Sequence, residues 1–255
     1  MRRLLVWLPL ALLLAGCGAT AHQAAGTPQQ AKRLPAGDAP RTCRTTAVTL
    51  GTSRTTIAAV VRSHAAAYRR PGARPFAGFG RLNVNRFPTV FRVLAVMRAR
   101  DCSPRWYRVQ LPIKPNGVAG WVRASAVRTG PVHSSVVVDI SSKRLTLYRQ
   151  GRPVLRTTVA VGSSATPTPT GHYYVNQRLI PPDPGGPYGP AAIGISAYSN
   201  VLTGWTQGGP IAIHGTNEPW SIGHAVSNGC IRVRNAVLRR LFEVTPAGTP
   251  VFIRE

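Results

Sequence analysis

Two side chains stand out for what they could do together. His214 is followed by Gly215 and Thr216, and Cys230 follows sixteen positions later inside Ser227-Asn228-Gly229-Cys230-Ile231-Arg232. A free thiol has a pKa of ~8.5 and is only a few per cent thiolate at neutral pH. A neighbouring imidazole can take its proton or hold it in an ion pair, and can later return it to a leaving amine. Lowering the thiol pKa by about two units corresponds to ~2.7 kcal/mol. Gly229 lets the backbone before Cys230 take a conformation that a side chain would block, which can aim the Gly229 and Cys230 N–H groups at an oxyanion. Arg232 can hold the loop, bind a substrate carboxylate or add positive potential. Ser227 suits a hydrogen bond within the turn or to His214. His224 is the rival base, and His172 reads as a surface histidine.

These groups need rigid elements behind them. Ile211-Ala212-Ile213 reads as a short buried strand leading into His214. Asn235 reads as the cap of a helix over 236–244, with Val237, Leu238, Leu241 and Phe242 on one face. Val251-Phe252-Ile253 reads as a last strand. Upstream, Val136 to Ile140 and Arg144 to Tyr148 read as a hairpin, followed by Val154 to Val161, the loop Thr166 to Gly171 and a strand from His172 to Gln177. Pro181 to Pro190 holds five prolines and three glycines and reads as a stiff loop.

The stretch from His214 to Pro219, the Ser227 to Asn235 segment, the Val138-Asp139 hairpin and Thr168-Pro169-Thr170-Gly171 together resemble the catalytic domain of the L,D-transpeptidase (YkuD-like) family. The resemblance covers roughly the last 120 residues. It implies a β-sandwich with a short C-terminal helix, Cys230 as nucleophile and His214 as base. Gly229 and Cys230 would form the oxyanion turn, with Gly215, Ser227, Asn228 and Arg232 supporting it or binding substrate. It implies peptidoglycan stem tetrapeptides as partners, a thioester acyl-enzyme, 3→3 cross-links and acylation by carbapenems. Water as acceptor would make the same site an L,D-carboxypeptidase. Asn228 stands where many members carry a second histidine, and Val237 where an acidic residue often follows the asparagine.

Other enzymes fit less well. None of the three lysines has serine three residues before it, as penicillin-binding D,D-transpeptidases require. NlpC/P60-like peptidases reverse the Cys and His order, and sortases space them far more widely. The non-enzymatic alternative is an inactive, lipid-anchored wall-binding protein.

The rest of the chain supplies a setting. Met1-Arg2-Arg3 and the apolar run Leu4 to Leu14, ending in Leu14-Ala15-Gly16-Cys17, read as a lipoprotein signal over 1–16 with Cys17 lipidated. Two acyl chains suffice for stable anchoring. Residues 17–44, rich in Ala, Gln, Pro and Thr, read as a flexible tether. Residues 45–129 read as a small β domain. Trp106 to Leu111, a turn at Lys114 to Gly117 and Gly120-Trp121-Val122 resemble bacterial SH3-like domains, while Ile57 to Tyr68 has some helical character. Thr129-Gly130-Pro131 reads as the boundary before a catalytic domain over 132–255. The whole is therefore expected to be mainly β.

Lysine and arginine total 32 against 7 acids, a net charge of +25. That excess suits an anionic partner. Outside the cytoplasm this means membrane lipid or anionic wall polymer, not a specific nucleic acid. Cys43 and Cys102, left over from the other two cysteines, form a candidate disulfide in an oxidising exterior. No metal motif is present, and no metal or cofactor is expected.

Overall fold

The computed structural model describes residue 43, residues 45–52 and residues 54–255. The expected signal over 1–16, the lipidation site Cys17 and nearly all of the tether lie outside the described residues. Cys43 is bonded to Cys102 with a Cα–Cα distance of 5.0 Å.

The described chain is mainly β, with one α-helix. Eight strands build a first sheet: β1 (Val48–Thr49), β2 (Thr56–Val61), β3 (His64–Tyr68), β4 (Pro75–Gly80), β5 (Val90–Arg98), β6 (Pro104–Gln110), β7 (Ala119–Arg123) and β8 (Val127–Val132). Their order is β4-β3-β7-β6-β5-β2-β8, with β1 on β5. The core of this sheet gathers Val61, Phe91, Val93, Val109, Leu111 and Val122.

One expectation fails here. The alanine-rich segment from Ile57 to Tyr68 is two strands, not helix. Each has partners on both sides, β2 between β5 and β8 and β3 between β4 and β7. Ladder bonds and burial of Ala59, Ala65 and Ala67 outweigh the helix preference of alanine. Thr129-Gly130-Pro131, read as the domain boundary, is itself strand. It lies within β8, with Gly130 opposite Ala58 and Pro131 opposite Ile57. Proline is tolerated because β8 is an edge strand. Only His133 then separates β8 from the next strand.

The second sheet comprises β9 (Ser134–Asp139), β10 (Arg144–Arg149), β11 (Arg152–Thr158), β13 (Gly171–Leu179), β14 (Ala192–Tyr198), β15 (Pro210–His214), β17 (Ile231–Arg232) and β18 (Pro250–Arg254). Its order is β11-β10-β9-β18-β13-β14-β15-β17. A small parallel pair joins β12 (Val161–Gly162) to β16 (Ala225–Ser227). The helix α1 (Asn235–Val244) drives Leu238 and Leu241 into the core formed by alternate residues of these strands.

That alternation fixes which side chains share a face. Tyr173 and Val175 of β13, Ile193, Ile195 and Ala197 of β14, Ile211 and Ile213 of β15, and Ile231 of β17 all enter the core. Their neighbours in sequence point the other way. One face of the sheet therefore carries Tyr174, Ser196, Tyr198, Pro210, Ala212, His214 and Arg232.

Candidate functional site

His214 is the last residue of β15, and β17 lies parallel beside it. Ile213 pairs with Ile231 and His214 with Arg232. Cys230 immediately precedes β17, on the same face as His214 and one pleat behind it. The Cys230 thiol takes a hydrogen bond from the backbone of Ala212, two residues before His214 on β15.

His214 is buried, 4% exposed. Its Nδ1 lies 2.6 Å from the Gly215 carbonyl oxygen. A carbonyl only accepts, so Nδ1 carries the hydrogen and Nε2 is left as the acceptor of the neutral ring. Desolvation pulls the imidazole pKa down to about 4. The bond to Gly215 opposes this and the charge of Arg232 adds to it. The ring of Tyr188 meets the imidazole edge-on, with centroids 5.0 Å apart.

Cys230 is half-buried and is the free cysteine of the described residues. Burial pushes its thiol up, while a hydrogen bond from the Ala212 backbone and the charge of Arg232 push it down. The resting pair is thus a neutral thiol and a neutral imidazole.

The turn carrying Cys230 is tied from three sides. Gly229 has φ +104°, and a Cβ there would come 3.0 Å from Ile211 Cδ1. Ser227 Oγ donates to the Cys230 carbonyl at 2.6 Å and accepts from the Gly229 N–H at 3.2 Å. Ser227 therefore works within the turn, and the Gly229 N–H expected to face an oxyanion is engaged by Ser227. Thr168 Oγ1 donates to the Gly229 carbonyl at 2.9 Å and accepts from the Gly162 N–H at 2.8 Å. Thr166 Oγ1 donates to the Ser227 carbonyl. Asn228 is exposed at the tip.

Arg232 is the loop brace. Its Nη1 donates to the carboxylate of Glu218, in the loop that follows His214. Its backbone exchanges two hydrogen bonds with Ala160.

Asn235 corrects another expectation. Arg234, not Asn235, is the N-cap of α1, and it makes no capping bond through its side chain. Asn235 Oδ1 instead accepts from the Thr216 N–H at 2.8 Å. That oxygen would lie 2.2 Å from a Cβ on Gly215 and 2.5 Å from one on Gly189. Two glycines thus let the end of the proline-rich loop, the backbone after His214 and the start of α1 converge. Sequence reasoning missed Thr166, Thr168, Glu218 and Tyr188. The available signal was the repeated threonine in Thr166-Pro167-Thr168-Pro169-Thr170. His224 is exposed and gives its carbonyl to Val161. Among the described residues no cluster of His, Cys, Asp or Glu could hold a metal ion.

Residues 133–253 match the model of the YkuD family, described as the L,D-transpeptidase catalytic domain. The L,D-transpeptidase YkuD of Bacillus subtilis is 42% identical over 125 residues, which are 49% of this chain and 67% of that protein. The chain belongs to the L,D-transpeptidase family. A second member, the L,D-transpeptidase YbiS of Escherichia coli, is 32% identical over 152 residues, 49% of this chain and 46% of that one. A crystal structure of a mutant Enterococcus faecium L,D-transpeptidase is 26% identical over 48% of this chain and 49% of that one, with a TM-score of 0.35. The chain thus spans between about half and two thirds of each of these relatives, and His214, Cys230 and α1 all fall in the part matched by the L,D-transpeptidase model.

Proposed function

We propose that the chain is a peptidoglycan L,D-transpeptidase that forms 3→3 cross-links between stem peptides. The observation that carries this reading is the convergence of His214 and Cys230 on one sheet face, with Nε2 of the imidazole left as an acceptor.

In this mechanism Nε2 takes the thiol proton as sulfur attacks the carbonyl of the third residue of a tetrapeptide. A neutral thiol above its usual range and an imidazole near 4 disfavour a standing ion pair, so proton transfer accompanies attack. The tetrahedral oxyanion collapses by breaking the bond to the terminal D-alanine, and the imidazolium protonates the leaving amine. A thioester on Cys230 remains. An amine from a second stem then attacks it, loses its proton to His214 and releases the thiol. Arg232, held by Glu218, keeps the loop in place and adds positive potential beside the thiol.

The reading includes a lipid anchor at Cys17, an extracytoplasmic location facing the wall, and attraction of the basic chain to anionic wall polymer. It also includes acylation of Cys230 by carbapenems.

The test is mass spectrometry of disaccharide-tetrapeptide incubated with the chain, beside Cys230→Ala. Cys230-dependent 3→3 dimers are expected. Tripeptide alone would reassign the site as an L,D-carboxypeptidase using water. Unchanged substrate together with no carbapenem adduct on folded protein would leave a wall-binding protein.

A further inference from the structure

A cleft of about 390 Å³ opens where the first sheet packs against the second. Five carboxamides line it: Asn83, Asn85, Asn176, Gln177 and Gln207. No Arg, Lys, Asp or Glu does, in a chain carrying +25. Four of the amides already form a lattice across the two sheets. Gln177 Oε1 accepts from Asn83 Nδ2 and Asn85 Nδ2, both at 2.9 Å. Gln207 Nε2 donates to Asn85 Oδ1 at 2.9 Å, from a residue held at φ +59°. The fifth is incomplete: Asn176 Oδ1 is buried without a hydrogen-bond partner. An unmet buried acceptor is costly, and a ligand donor would satisfy it. A bulge between Val175 and Gln177 brings both amides to the cleft, and Gly194 gives the Gln177 side chain room to cross its strand.

The rim is apolar. Phe79 and Tyr198 offer half-buried rings, and Leu82 and Val84 stand 43% and 80% exposed. Carboxamides that both donate and accept, apolar patches and a lack of charge suit a neutral sugar bearing acetamido groups. A stem peptide brings several carboxylate and ammonium groups, for which the lining has no acid and only Lys114, 5.8 Å from the Tyr198 ring centroid, as a neighbouring cation.

Position ties the cleft to the site. Pro210 lines the cleft at one end of β15 and His214 ends the other, and both side chains lie on the same face. Four residues of strand span ~13 Å, about the reach of an extended tetrapeptide.

We infer that this cleft binds the N-acetylated sugar strand to which the reacting peptide is attached. The inference rests on the wall-substrate reading above. A neutral glycan held between the sheets fixes the origin of the peptide, which then runs along β15 toward Cys230. The first sheet is then part of the substrate site.

The experiment uses the full-length chain with Cys230→Ala in detergent micelles, titrated calorimetrically with an N-acetylglucosamine tetramer. Hydrogen exchange locates the binding. Because no turnover is involved, the result stands or falls separately from transpeptidation. Expected are saturable binding and protection of residues 83–87 and 206–208. Val84→Asp, an exposed rim change, should weaken binding at least tenfold. Asn176→Leu should do the same without lowering the melting temperature, since it removes an unmet acceptor. No protection of these segments would overturn the proposal. So would affinity unchanged in both variants, or stronger protection of the segments by a free stem tetrapeptide than by the sugar.

Discussion

The acid behaviour of His214 follows from its burial. A free imidazole titrates near 6.5, and burial holds this one near 4. Above pH 6.5 it is neutral in both folded and unfolded chains and has no effect on stability. As pH falls from 6.5 to about 4, the unfolded chain binds a proton that the folded chain refuses, so stability drops. Below 4 the full penalty, ~3 kcal/mol, is present. His214→Gln should abolish that slope, seen as the parent's denaturation midpoint falling relative to the variant's as pH drops from 7 to 4. Asp139, held down to about 2 by Ser142 and Ser141, changes stability mainly below pH 4 and does so equally in both chains. The turnover profile has the same origin. In the parent, kcat/KM should stay level down to about pH 5, where an unperturbed histidine would already have cut it. Thr168 makes a second prediction at this scale. Its hydroxyl is the buried link between Gly162 and Gly229, and Thr168→Val strands both groups. Stability should fall by ~1–3 kcal/mol in denaturant titration. Turnover should fall at least tenfold with little change in KM, since the turn that aims the sulfur is loosened.

Elements explain what the sequence could and could not disclose. The period-two runs were legible because burial of one face writes itself into alternate residues, as at Ile211 and Ile213 or Tyr173 and Val175. The spacing of His214 and Cys230 was legible because both sit at the ends of adjoining parallel strands. Asn235 was misread as a cap because its partner, the Thr216 N–H, comes close only after Gly189 and Gly215 let three segments converge. Gly130 and Pro131 suggested a break, yet an edge strand tolerates both. Glu218 was hidden for a similar reason: its partner Arg232 is remote in sequence and adjacent through β15 and β17. This pair yields a prediction. The carboxylate partly cancels the Arg232 charge that favours thiolate at Cys230. Glu218→Gln should lift that cancellation, lower the thiol pKa and raise the rate of iodoacetamide alkylation of Cys230 at pH 8. The pair is part-exposed, so stability should change by less than ~1 kcal/mol. An unchanged or slower alkylation rate would remove Arg232 as an electrostatic influence on the thiol.

At the scale of the whole described chain, two sheets are joined by a single residue, His133, yet several polar clasps bind them. Tyr174 Oη donates to the Val90 carbonyl in a fully buried setting. Asn116 donates to the Tyr198 carbonyl and accepts from its N–H, and Tyr198 Oη donates to the Pro112 carbonyl. Gln110 Nε2 reaches the His172 carbonyl at 2.6 Å. A small apolar cluster of Ala58, Val90 and Val132 closes the junction against Ala247. Such coupling makes one sheet's unfolding expose polar groups of the other, so a single calorimetric transition is expected. Gly248 tests whether the junction is the source. It has φ +92°, and a Cβ there would fall 2.4 Å from Ala58 Cβ, across the join. Gly248→Ala must push the sheets apart or strain a backbone that disfavours a side chain, while the main apolar core of each sheet is untouched. If the junction is what couples them, this variant should split the transition in two, with the wild-type melt remaining single. Tyr174→Phe, which deletes one buried bond without a clash, should only lower the midpoint of a single transition. Two transitions already present in the wild type would mean that the sheets fold independently and that the clasps merely orient them. A cooperative junction has a consequence for the site: the face bearing His214 continues into the surface on which the first sheet rests, so loosening the join should also reduce turnover on glycan-attached substrate more than on free tetrapeptide.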